Sequence, residues 1–162
     1  MKTVCSALLF LVLFQANAQD SLATKKIDSL VTSINNSTLP VIRDSVINEV
    51  PAIGFSSRAY ISMVLLENKV LKYTQHTFLT SLENGATNKL ETNSTFYYQE
   101  QYLIKVEEYA KEGDKKQEAH WYYHEGKPIY WTSSAENAAS RAEQLIKISD
   151  AMVNAIQSRI NK

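Results

Sequence analysis

Apolar positions recur along this chain with two different periods. Between Asp20 and Asn36, Leu22, Ile27, Leu30, Val31 and Ile34 follow spacings of three and four, with Lys25, Lys26 and Asp28 among them. That spacing predicts an amphipathic helix with one buried stripe. Asn35-Asn36-Ser37 ends it, because short polar side chains compete for backbone hydrogen bonds. A stronger helical pattern follows Ser133-Ser134-Ala135-Glu136, which reads as a capping box. Ala138, Ala142, Leu145, Ile146, Ser149, Met152, Val153, Ile156 and Ile160 fall on one side of it, and Arg141, Glu143, Lys147, Asp150 and Gln157 on the other. About 26 residues at 1.5 Å each span roughly 39 Å, enough to cross a sheet diagonally.

From Arg58 the pattern changes to β-branched and aromatic residues. All nine tyrosines and both tryptophans lie between Tyr60 and Trp131, where a pleated surface accommodates them. One phrase occurs three times within this stretch: Met63 to Tyr73, Phe96 to Val106 and Trp121 to Trp131. Each copy places strand-forming residues before Glu67-Asn68, Glu100-Gln101 or Glu125-Gly126 and follows with a second apolar arm. This is the pattern of a β-hairpin with a tight turn. We expect strands near 59–66, 70–80, 93–99, 102–111, 117–124 and 128–133. Leu82 to Lys89 reads as a longer polar connection and Glu112 to Lys116 as another turn. Leu39 to Phe55 fits a short helix begun by Pro40 or an extended segment, with Pro51 and Gly54 breaking the chain before the sheet; we read the helix. The expected architecture is α+β: an N-terminal helix, a six-stranded antiparallel meander, and a long C-terminal helix packed on one face.

An even hairpin loop sends opposed residues to the same face. Strict alternation then puts Val64, Leu71, Tyr73, Tyr97, Ile104, Val106, Tyr122, Ile129 and Trp131 on one side. Met63, Leu65, Val70, Phe96, Tyr98, Leu103, Trp121, Tyr123 and Tyr130 fall on the other. An odd loop mixes the sets. Both sides are apolar, which is unusual for a sheet wetted on one face, and two helices of this length are expected to cover only one. Either the sheet curls around its own aromatics, or an aromatic surface stays open for a partner. The candidate binding face is Phe96, Tyr98, Leu103, Trp121, Tyr123 and Tyr130.

The N-terminal pattern and the composition set expectations for compartment and partners. Lys2, the apolar run Ala7 to Phe14 and Ala16-Asn17-Ala18 read as a secretory signal over residues 1–19, leaving residues 20–162 as a single domain in the periplasm or secreted. Of 17 basic and 17 acidic residues only Lys2 lies in that leader. The remainder is one charge negative, which argues against nucleic acid as a partner. The one cysteine, Cys5, is also in the leader, so no disulfide supports the domain. No later apolar run is long enough for a stable membrane span.

The chemistry-bearing candidates are few. Glu118, His120, Tyr122 and His124 alternate along one strand and share a face. His120 and His124 then stand about 13 Å apart at 3.3 Å per residue, too far to share an ion held near 2 Å from each ligand. His120 with Glu118 would need a further strand, such as the one carrying His76. Glu107 and Glu108 are adjacent on a strand and face opposite ways. The chain carries no nucleophile elbow, zinc-helix motif, phosphate-binding glycine loop or domain cysteine. Neither an enzyme, a metal site nor a cofactor is expected. Asn36-Ser37-Thr38 and Asn93-Ser94-Thr95 are glycosylation sequons.

Tyr122-Tyr123-His124-Glu125-Gly126-Lys127-Pro128-Ile129 and Tyr97-Tyr98-Gln99-Glu100-Gln101-Tyr102-Leu103-Ile104 resemble the hairpins of largely uncharacterised, repeat-bearing exported bacterial proteins. Those hairpins read roughly aromatic-Tyr-x-Asp/Asn-Gly-Lys-Leu-Ile, and the leader ending in Ala-Gln is similar to theirs. The second copy here lacks the glycine. The resemblance implies a fold and a compartment and carries over no functional residues. Together these readings favour a non-catalytic module that binds an unknown protein or peptide through the aromatic face or an open strand edge. The alternative is a carrier of a small apolar ligand in a pocket between sheet and helices.

Overall fold

The computed structural model describes residues 21–51, 54–83 and 86–160; the leader read over residues 1–19 lies outside them. Helix α1 covers residues 21–35. Seven strands follow: β1 (Val41–Val50), β2 (Phe55–Leu66), β3 (Lys69–Glu83), β4 (Ala86–Gln99), β5 (Tyr102–Glu112), β6 (Lys115–His124) and β7 (Lys127–Trp131). Helix α2 (Ala138–Ile160) closes the chain. The strands form one antiparallel sheet in sequence order, an α+β meander.

Three corrections to the expected elements have local causes. The sheet has seven strands rather than six, because 39–55 forms β1 instead of a short helix. Val41, Ile42, Val46, Ile47 and Val50 are all β-branched, which suits them to a strand, and every residue from Val41 to Val50 faces a β2 residue. Leu82 to Lys89 is strand at both ends rather than a long connection, with Glu83 facing Ala86. Helix α2 starts at Ala138, later than a capping box at Ser133–Glu136 requires: the Ala135 N–H donates to Ser133 Oγ (3.3 Å).

The three repeated phrases are hairpins with two-residue turns. Glu67-Asn68 and Glu100-Gln101 have positive φ at both residues, as do Glu125-Gly126, the conformation that matches the twist of the flanking strands. Each hairpin then carries one extra residue on its second arm. The register skips Leu71 between Leu65↔Val70 and Val64↔Lys72. It skips Ile104 and Ile129 at the same place in the other two hairpins. A one-residue bulge puts two consecutive side chains on one face, so strict alternation fails just after each turn. Tyr73, Val106 and Trp131 therefore join the side of Phe96 and Trp121, while Tyr130 crosses to the side of Tyr122.

Both apolar faces are covered, one helix to each, rather than two helices sharing one. On one side α2 lays Ala142, Leu145, Ile146, Met152, Val153 and Ile156 over Val70, Tyr73, Phe96, Tyr98, Leu103, Val106, Trp121 and Tyr123. On the other, Ile27, Val31 and Ile34 of α1 meet Tyr97, Ile104, Tyr122 and Ile129. The result is three layers. Both cores gather toward the end of the sheet that carries the bulged hairpins. At the opposite end Gly54 turns β1 into β2 at φ 63°, and a Cβ there would lie 2.7 Å from Leu82 Cβ, a contact only glycine permits. Among the described residues no helix is long and apolar enough to cross a membrane.

Candidate functional site

Five of the six aromatic-face candidates come together, beneath α2. Phe96, Tyr98, Leu103, Trp121 and Tyr123 lie in one buried cluster, with Trp121, Tyr98 and Tyr123 at 4%, 1% and 0% exposure. Ser149 Oγ donates to the Tyr98 hydroxyl (3.1 Å), and the Tyr123 hydroxyl donates to the Ala142 carbonyl (3.1 Å). Burial raises both phenol pKa values because it penalises the charged form. The chain's own C-terminal helix thus occupies this surface. Tyr130 is separate from the five: it lies 47% exposed on the α1 face, its ring 5.7 Å from that of Tyr122.

Under α1 the floor is polar as well as apolar. Lys105 is buried and points up from β5, where its Nζ meets Asp28 Oδ1 of α1 (2.9 Å) and Glu107 Oε1 (2.8 Å). The Tyr122 hydroxyl donates to Asp28 Oδ1 (3.1 Å) and the Tyr97 hydroxyl to Glu107 Oε2 (3.1 Å). Lys72 Nζ reaches Asn35 Oδ1 at the end of α1 (2.7 Å). Burial alone would lower the Lys105 pKa, but its hydrogen bonds to Glu107 and Asp28 outweigh this and raise it. The Tyr97 phenol is pushed up to about 12, chiefly by burial. Each of these donors has an acceptor within the chain, so the network serves to fix α1 on the sheet.

Glu118, His120 and Tyr122 do share this face, but nothing gathers them into a centre. His120 Nδ1 stands 3.8 Å from Glu107 Oε1, His76 pairs with Glu91 (2.8 Å), and His124 is exposed beside Glu125. Among the described residues no three His, Cys, Asp or Glu side chains are grouped to hold a metal.

An apolar hollow of about 270 Å³ lies between α1 and the bulged ends of the hairpins. Leu30 and Ile34 form its roof; Leu66, Leu71 and Ile104 form its floor. Two of those floor residues are the extra residues of the bulges. Strict alternation already puts Leu71 and Ile104 on one face; what it does not find is the bulge that keeps each beside the following residue on that face.

The free edge of the sheet is β1. All ten of its residues are exposed, Ile47 at 55%, and among the described residues it pairs on one side only. Val41, Ile42, Val46, Ile47 and Val50 remain in water along it. Beside it on the α1 face, past the reach of α1, Tyr60 and Phe78 pack edge to face at 6.2 Å and are also exposed. The opposite edge is different: β7 has five residues, begins Lys127-Pro128 and carries a bulge, three features that discourage further pairing. An edge strand presents a row of unpaired N–H and C=O groups, and β1 has only Arg43, Asp44 and Glu49 to protect it. Reading 39–55 as a short helix hides this edge; its run of β-branched residues is the signal that could have found it. Compared with known proteins, the chain matches no family model, no curated protein and no solved structure.

Proposed function

We propose that this chain is an exported, non-catalytic module that binds a protein or extended peptide by strand addition to β1. One observation carries the reading: a ten-residue edge strand, exposed throughout and rich in apolar side chains, beside a sheet whose two main aromatic clusters are already covered by helices. In strand addition, main-chain hydrogen bonds supply affinity and alternate side-chain positions supply selectivity. The exposed Ile47, Tyr60 and Phe78 offer a row of such positions on the α1 face.

The carrier reading keeps one observation in its favour, the hollow between Leu30, Ile34, Leu71 and Ile104. At about 270 Å³ it is larger than an apolar cavity of roughly 150 Å³ that holds benzene, and it suits a small apolar molecule.

One experiment separates the two. The chain is panned against a library of extended peptides, and hydrogen exchange is then measured with and without a selected peptide. Strand addition predicts slowed exchange at alternate amides of Val41–Val50, lost on Ile47→Lys. Protection confined to α1 and the Leu71 and Ile104 region, with an apolar compound in an organic extract of the purified chain, would favour the carrier and defeat the edge reading.

A further inference from the structure

We propose that the strand added to β1 is β1 of a second copy of this chain, paired antiparallel about a two-fold axis through Val46. The inference rests on the edge-binding reading above and names its partner. Such an interface is isologous: one patch serves both copies, and the seven-stranded sheets join into one continuous sheet.

Geometry restricts the register first. Opposed residues of an antiparallel pair lie on the same face, so a slip of one residue is forbidden wherever faces must match. In β1, Ile42, Asp44, Val46, Asn48 and Val50 lie on the α2 face, and Val41, Arg43, Ser45, Ile47 and Glu49 on the α1 face, as their β2 partners fix. A perpendicular two-fold axis must therefore stand level with a residue, midway between it and its own copy, rather than level with a peptide bond; it is named by that residue.

Charge then chooses among the remaining axes. With Val46 opposite its own copy, Arg43 stands opposite Glu49 on the α1 face, and the symmetry makes that contact twice. Ile42 stands opposite Val50 on the α2 face, also twice, and Asp44 opposite Asn48. An axis through Ser45 sets Arg43 against Ile47 and Glu49 against Val41. An axis through Ile47 sets Arg43 against Pro51 and Glu49 against Ser45, so neither charge is met. An axis through Asp44 opposes the two Asp44 carboxylates. Only the Val46 axis matches opposite charges over the length of the strand, and cross-strand pairs of this kind are favourable.

Two details of the single chain agree. Among the described residues neither Arg43 nor Glu49 has an ion-pair partner, so both charges are open for the contact. On the α1 face the axis also brings together two patches of Ile47, Tyr60 and Phe78, exposed in the single chain. One local competitor exists: the Ser45 N–H donates to Asp44 Oδ1 (2.7 Å), and a second strand has to compete with that carboxylate.

The test is light scattering and sedimentation equilibrium of the full chain and two charge-reversal variants. The wild type is expected to dimerise. Arg43→Glu and Glu49→Arg should each weaken the dimer by roughly tenfold or more, because each places two like-charge pairs across the axis. Mixing the two variants should restore a dimer made of one of each, since every reversed charge then faces an opposite charge on the other copy; this rescue also shows that both variants fold. A wild type that stays monomeric at every concentration, or a dimer indifferent to both reversals, overturns the inference. If the monomer nevertheless protects β1 amides with a library peptide, the edge reading survives and only the choice of partner fails.

Discussion

Tyr97, Tyr98 and Tyr123 bring their hydroxyls into the interior of the domain, and Lys105 brings an ammonium group. In the folded chain all four groups hold their protons to higher pH than usual. In the unfolded chain phenols titrate near pH 10 and lysine near pH 10.4. Above about pH 10 the unfolded state therefore binds fewer protons than the folded one, and stability falls as pH rises. For Lys105 the contribution is complete below its unfolded pKa and is lost as pH climbs through the folded one. Urea unfolding at about pH 9 and about pH 11 should show the midpoint dropping across that interval. Tyr98→Phe should make the drop shallower, at a cost of about 1 kcal/mol at neutral pH for the lost Ser149 hydrogen bond. An unchanged pH slope in Tyr98→Phe would mean that this phenol ionises as freely in the folded chain as in the unfolded one.

At the scale of the element, the bulged hairpin explains what could be read in advance. Turn positions were legible because Glu-Asn, Glu-Gln and Glu-Gly each sit between two apolar arms, and all three turns form there. The C-terminal helix was legible in its buried face, since Ala142, Leu145 and Ser149 fall inside as their spacing requires. The bulges were not legible. Leu71, Ile104 and Ile129 are ordinary aliphatic residues, and nothing in their type marks them as extra; only pairing with the neighbouring strand does. That single omission misassigned Tyr73, Val106, Trp131 and Tyr130. Over 39–55 the sequence fits an extended segment as well as the helix, and the choice goes wrong for another reason: the apolar residues Val41, Ile42, Val46, Ile47 and Val50 fall on both sides of the strand, without the alternation that identifies one. The turns also carry a testable cost. Gln101 adopts φ 76° in an exposed position, where a side chain is unfavourable by about 1–2 kcal/mol relative to glycine. Gln101→Gly should raise stability by up to about 1 kcal/mol, measured as an increased urea midpoint with an unchanged m-value.

Across the whole molecule the two helices clamp the sheet from opposite sides at the same end, so order should grade from that end to the other. Native-state hydrogen exchange should be slowest in β4 and β5 around Tyr97, Tyr98 and Val106, where both faces of the sheet are buried, and fastest in β1. Equal protection in β1 and β5 for a chain held monomeric by Arg43→Glu would contradict this gradient. The same arrangement explains why six residues that look like a recognition surface in one dimension are mostly interior in three: the number of greasy sides was readable, but how the helices divide between them depends on where the chain enters and leaves the sheet. Each hairpin carries its own out-of-step residue at the same place, so a two-strand cassette could be excised or duplicated without sending any remaining side chain to the wrong layer. Width in this architecture is adjustable in units of two strands, up to the reach of α2, while its two-sidedness is inherited intact.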